Sequence, residues 1–247
     1  MKVKQLLMCS LLLFVTLASN AQHITFVTED LPPLQINTPG SEPTGAMIEL
    51  INLIIDDLQL DASIVILPWA RAYNIAQNTE NTFIFSMLRS KDREQLFQWV
   101  GHVYTIQAYL AALSNKNISI ASIEDAKKFK IGVTRDALAE TYLKKLGFIN
   151  NKNMYASPTY SALWHNLLNG HTDMTFTNHI IWAPQVEKAG INPSEIALVL
   201  KVKDFDSQMY LAASNTTDPS LVNKVKISLE KIKADGRYDK ILEKWQL

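Results

Sequence analysis

Five short segments near the start of this chain alternate in the period of their apolar residues, and that alternation restricts the folds open to it. Ile24–Val27 is an apolar run stopped by Thr28-Glu29-Asp30 and the Pro32-Pro33 breaker, which predicts a strand followed by a loop. Gly45–Leu58 carries Ile48, Ile51, Ile54 and Ile55 at helical spacing. Ala62–Leu67 then predicts a strand, Ala70–Gln77 a helix and Thr82–Met87 a strand. A β-α-β-α-β order of this kind calls for a parallel sheet with helices on its faces.

The alternation restarts further on. Tyr104–Leu113 is a long apolar segment without helical period and predicts one long strand. After it come a helix at Ala121–Phe129, a strand at Lys130–Val133 and helices at Ala137–Leu146 and Pro158–Leu168, the last closed by Asn169-Gly170. Met174–Thr177 predicts a strand, Ile180–Ala189 a helix, and Ile196–Leu200 and Gln208–Ala213 strands. Helices at Leu221–Lys233 and Tyr238–Trp245 complete the chain. Two long strands, Tyr104–Leu113 and Gln208–Ala213, bracket the second alternating block, so they are the natural crossings between two α/β lobes. The expected division is a signal peptide at 1–21, a first lobe from 22–110 with 211–247, and a second lobe at 111–210.

The first residues predict export. Lys2 and Lys4 precede a short apolar run, Leu6–Leu17, and Ser19-Asn20-Ala21 offers small residues for cleavage. That run is too short for a membrane span. Cys9 is the one cysteine and lies inside this segment, so the processed chain is expected to carry no disulfide and no cysteine metal site. Removing two lysines from a balanced 24 basic and 24 acidic residues leaves a net charge of about −2. No like-charge block stands out, which argues against a nucleic-acid partner. No G-x-S-x-G, H-E-x-x-H or phosphate-loop pattern is present, and the five histidines lack metal-ligand spacing. No cofactor is expected.

Two places look chemical. The strand Thr82–Met87 delivers Arg89 and Arg93 into a turn, where open α/β sheets hold ligand-binding groups. An arginine there can hold a carboxylate through two parallel charged hydrogen bonds. The alternative for Arg93 is a surface ion pair with Asp92 or Glu94. In the second block, Thr134-Arg135-Asp136 lies between a strand and a helix start, where backbone N–H groups favour an anion, or where Asp136 is a helix cap.

An ordered set of short elements covers roughly residues 24–247: Thr28-Glu29-Asp30 with Pro32-Pro33, Pro43-Thr44-Gly45, Pro68-Trp69, Asp92-Arg93-Glu94 with Phe97 and Trp99, Lys130-Ile131-Gly132-Val133, Asn169-Gly170-His171-Thr172-Asp173, and the closing Lys233-Ala234-Asp235-Gly236-Arg237-Tyr238 with Lys244-Trp245. In this set the chain resembles the bacterial extracellular solute-binding proteins of family 3, periplasmic receptors of polar amino-acid ABC importers. The resemblance implies a two-lobe periplasmic-binding-protein fold of type II with two crossing hinge strands, closing on a small ligand. It implies that Arg93 grips a ligand carboxylate, Glu29 reads the ligand's distal end and Trp69 stacks on the ligand. Arg71 and Tyr73 on the same helix, Arg89, Thr134, Arg135 and Asn178 complete the candidate set. The implied partners are a small polar solute and the permease of an inner-membrane ABC importer, or a sensor, with the receptor a monomer in the periplasm.

Three departures from the family pattern bear on the ligand. Leu88 and Ala137 stand where the family commonly has small hydroxyl residues, and Asn178 aligns with the acid that usually takes the α-ammonium group. A neutral amide cannot neutralise an ammonium ion. A small carboxylate, or a ligand with another cationic group read by Glu29, fits better than a standard amino acid. The competing class is an enzyme on the same fold, such as a cyclic-carboxylate dehydratase, with Glu29 as general acid or base and Arg93 as anchor.

Overall fold

The alternating segments fold into two five-stranded sheets, in a computed structural model that describes residues 23–247. The expected signal peptide at 1–21 lies outside the described residues. Along the chain come β1 (Ile24–Thr28), α1 (Ala46–Leu58), β2 (Ala62–Ile66), α2 (Trp69–Asn78), β3 (Thr82–Leu88), β4 (Phe97–Thr105) and β5 (Ala108–Leu113). They are followed by β6 (Ile131–Thr134), α3 (Leu138–Lys145), β7 (Met154–Ser157), α4 (Tyr160–Leu168), β8 (Met174–Asn178), α5 (Trp182–Lys188) and β9 (Ile196–Val202). β10 (Gln208–Ser214), α6 (Pro219–Ala234) and α7 (Arg237–Trp245) end the fold.

The first sheet has the order β2-β1-β3-β10-β4 and the second β7-β6-β8-β5-β9. In each, the first three strands are parallel and the last two join antiparallel. The fourth strand of each sheet is reached by a chain segment that has just left the other sheet. The expected two-lobe α/β architecture with two crossings is therefore borne out.

Local signals explain the elements. Along α1, Ile48, Ile51 and Ile54 are buried with Met47 and Leu50, so the apolar stripe faces the first core. Thr159 caps α4 by accepting from the Ala162 N–H at 3.2 Å, and Asp218 caps α6 by accepting from the Ser220 N–H at 2.7 Å, with Pro219 in the first turn. Gly45 starts α1 at φ 124°, and a Cβ there would lie 2.6 Å from the Leu34 carbonyl oxygen. Only glycine lets the loop 31–44 pack so closely on the helix start.

Some expectations need correction. The segment Tyr104–Leu113 is not one strand. β4 ends at Thr105 in the first sheet, and β5 begins at Ala108, paired with Asn178 in the second. Ile106 is buried where the chain passes from one sheet to the other, so apolar character carries across the break at Ile106-Gln107. That break is a crossing, and the other is 203–207, since Gln208 already pairs with Thr105. The crossings are tied to one another where the Ile106 N–H donates to Ser207 O at 2.9 Å. The helix expected over Ala121–Phe129 shrinks to a 3-10 turn at Asp125–Lys128, and the strand β7 had no sequence signal long enough to register.

Candidate ligand-binding cleft

Strands β1, β3, β6 and β8 all end toward the space between the sheets, so the residues just beyond them meet there. The two bodies touch across this space. The Asp136 carbonyl, on the second, accepts hydrogen bonds from Trp69 Nε1 at 2.8 Å and from Arg93 Nη2 at 3.3 Å. Lys145 pairs with Asp92, and Lys188 reaches both Asp30 and the Asn37 carbonyl. Beside these contacts lies a cavity of about 70 Å³. A second chamber of about 330 Å³ lies outward, and Glu29, Trp69 and Tyr160 form part of both walls.

Arg93 ends a 3-10 turn, Lys91–Arg93, that follows β3. It is 6% exposed, and its guanidinium packs over both Trp69 and Tyr73, 5.2 and 5.0 Å from ring centroids that are themselves 5.7 Å apart. Trp69 and Tyr73 are one helical turn apart on α2, so a single helix face supplies both rings. Nη1 donates to the Leu88 carbonyl at 3.0 Å. Burial pulls the Arg93 pKa down from its ordinary value, opposed by Tyr73 and by the Glu29 charge. The guanidinium has five N–H donors, and the two main-chain carbonyls take one each.

The strand end that leads to Arg93 is held by a buried polar chain. Ser86 sits at φ 57° and its Oγ donates to Gln35 Oε1 at 3.0 Å. Gln35 Nε2 donates to Thr28 Oγ1, which donates in turn to the Phe85 carbonyl. The loop after β1 thus fixes the end of β3.

Glu29 is 8% exposed, lines both chambers, and its carboxylate has no hydrogen-bond partner among the described residues. Burial pushes its pKa up to about 8, against the opposing charge of Arg93. Opposite it, Tyr160 is hydrogen-bonded to Thr134, and its pKa is raised by burial first and by the Glu29 charge second. The linkage of Glu29 to stability follows. Its folded pKa exceeds the unfolded value of 4.5, so the native state binds the extra proton and stability falls as pH rises from about 4.5 to 8. Thermal unfolding of Glu29→Gln is expected to show a flatter pH dependence over this window. The variant should melt above the parent at pH 8, with the gap closing toward pH 5. Parallel curves would show that Glu29 is already ionised at neutral pH.

The remaining candidates separate. Thr134 and Asn178 line the inner cavity, and Tyr73 supports Arg93 from outside the lining. Arg71 is exposed on α2 and Arg135 is exposed beyond β6; neither lines either chamber. Arg89 points elsewhere. It is paired with Glu94 and stacked on Trp99 and Tyr210, on a different part of the surface. Asp136 does not cap α3; Ala137 holds that position, while the Asp136 N–H donates to Glu140 Oε2 at 2.7 Å. Sequence reasoning missed Tyr160, Thr177, Phe176, Phe205 and Met209 on the inner wall. Thr177 was legible as the neighbour of Asn178 at the end of β8; Phe205 and Met209 owe their position to the second crossing, which periodicity does not place.

Comparison with known proteins agrees with this architecture. The family described as bacterial extracellular solute-binding proteins, family 3, matches residues 24–247. A probable histidine-binding protein of Neisseria gonorrhoeae is 24% identical over 180 residues, 72% of this chain and 65% of that protein, so the match leaves about a third of the relative unspanned. Among solved structures, a histidine kinase sensor domain with similarity to periplasmic binding proteins superposes with a TM-score of 0.81 at 17% identity, covering 91% of this chain and 96% of that one. An ancestral arginine-binding protein bound to arginine gives 0.78 at 21% identity, covering 90% and 97%.

Proposed function

The chain belongs to the bacterial extracellular solute-binding proteins, family 3, and from that premise we propose that it captures a small, carboxylate-bearing polar solute between two closing lobes in the periplasm. The observation that carries this reading is Arg93, a buried cation packed against two adjacent aromatic rings on the wall of a cavity between the sheets. A desolvated guanidinium stays charged and favours an anion that matches its planar fork. Glu29 faces the same space and reads the far end of the ligand. Closure brings the second lobe's Thr134 and Asn178 against the solute, and the shared Asp136 carbonyl latches the lobes through Trp69 and Arg93.

The lobes divide at the crossings 106–107 and 203–207. The loaded, closed form is presented to the permease of an ABC importer. The resemblance to a kinase sensor domain supports a second destination, a signalling partner that reads the same closure. The test of solute capture is thermal unfolding with a panel of amino acids, hydroxy acids, keto acids, dicarboxylates and polyamines. A ligand that binds only the native state raises the melting temperature by mass action. A carboxylate is expected to do so, and a panel in which only polyamines act would sink the carboxylate reading.

Glu29 favours one further reading. A carboxyl group held protonated near neutrality beside an anion anchor is a competent general acid. Turnover of a bound carboxylate, lost in Glu29→Gln with binding retained, would make the protein an enzyme.

A further inference from the structure

The orientation of one amide on the inner wall bears on which carboxylates the cleft accepts. The side-chain oxygen of Asn178 meets the backbone N–H groups of Ile180 and Ile181 at 3.1 and 3.2 Å. A backbone N–H only donates, so the amide oxygen must face that turn and the NH₂ group must face away from it. Asn178 is 5% exposed and lines the inner cavity. Its Nδ2 has no hydrogen-bond partner among the described residues and is not fully buried, in a residue that lines the cavity. Next to it, the Thr177 hydroxyl is buried with no partner.

Around a carboxylate held by Arg93, the second lobe therefore offers the Asn178 amide donor and no anion. In a cavity of about 70 Å³ no layer of water separates these groups from the ligand. An oxygen beside the carboxylate satisfies the Asn178 donor. An ammonium in its place meets the positive end of the amide dipole, and its charge has no counter-ion there. The one acid on this wall is Glu29, and a cation placed there must first displace a proton held up to pH about 8, which lowers affinity about tenfold at pH 7.

Resting on the carboxylate reading above, we infer that Asn178 sets the cleft to select 2-hydroxy or 2-oxo carboxylates over the corresponding 2-amino acids. Calorimetric titration of the parent protein and of Asn178→Asp tests this with matched sets of amino, hydroxy and oxo acids on the alanine, leucine, glutamate, phenylalanine, histidine and arginine skeletons. Aspartate keeps one oxygen for Ile180 and Ile181 and exchanges the donor facing the cavity for an anionic acceptor. On the skeleton that binds, the parent is expected to hold the hydroxy or oxo acid at least tenfold more tightly than the amino acid. Asn178→Asp is expected to reverse that order by at least tenfold. Asn178→Ala, checked for folding by its melting temperature, is expected to lose the preference without reversing it. A parent that holds the amino acid more tightly, through Arg93, overturns the inference and leaves the carboxylate reading standing. A parent that binds none of these acids overturns both.

Discussion

Arg93→Ala is expected to weaken binding of the carboxylate solute by about 30-fold to several thousand-fold, the range that corresponds to roughly 2–5 kcal/mol for truncating one partner of a buried charge pair. The effect should be large because the surroundings are built for the guanidinium. Trp69 and Tyr73 pack against it side by side, and Leu88 and Asp136 orient it through their carbonyls. With Arg93 gone, a ligand anion would enter a wall that holds no other cation among the described residues. Arg93→Lys keeps the charge but loses the planar fork and the stacking, so it should fall between the parent and alanine. The unliganded fold should change little in stability, because burial already disfavours the charged form of this side chain. Titration calorimetry with the best ligand of the panel gives the comparison. Full affinity in a folded Arg93→Ala protein would remove the anchor from the account.

The second large effect is on the fold. Gly45→Ala is expected to destabilise the protein by about 3 kcal/mol or more, since it adds backbone strain to a clash that cannot relax. At φ 124° an L-residue is strained whatever the space around it, and here the space is absent. The new Cβ would lie 2.6 Å from Leu34 O and 2.8 Å from Gln35 Cα, both main-chain atoms. Leu34 O is also the acceptor for the Met47 N–H at 2.7 Å, so moving it breaks the first turn of α1. For a domain of this size the melting temperature should fall by about 6–12 °C. Gly40→Ala is the control, because Gly40 also has positive φ but nothing within 4 Å of its added Cβ. Equal losses in the two variants would show that backbone strain alone decides. The displaced loop carries Gln35, so Gly45→Ala should also loosen Ser86 and, through it, the turn that presents Arg93.

Much of this was legible in the sequence because it is local. The isoleucine stripe of α1 and the opening β-α-β-α-β order survive into the structure as read. Arg93 was legible as a residue just past a strand end. Arg89 was equally so, and nothing local separates two arginines four residues apart. Their fates are set by partners distant in sequence or across a turn. Trp69 and Tyr73 draw Arg93 inward, while Glu94, Trp99 and Tyr210 hold Arg89 out. The chain's break at Ile106-Gln107 was hidden for a related reason. Apolar character reports burial, and Ile106 stays buried where the chain leaves one sheet for the other. The inner wall's Tyr160 and Phe205 belong to elements whose placement depends on closure of the second body over the first.

The late return of β10 to the first sheet also decides the order in which the chain can become native. The second sheet is drawn from one continuous stretch, 108–202, whereas the first needs β10 from beyond it to join β3 and β4. A polypeptide emerging from its amino end therefore holds β1–β4 waiting, with the inner edges of β3 and β4 unpaired, while the later block has everything it requires. Long-range pairings of this kind are slow to form and leave strand edges exposed meanwhile. The last strand to arrive, β10, completes the first sheet directly after the second crossing, 203–207.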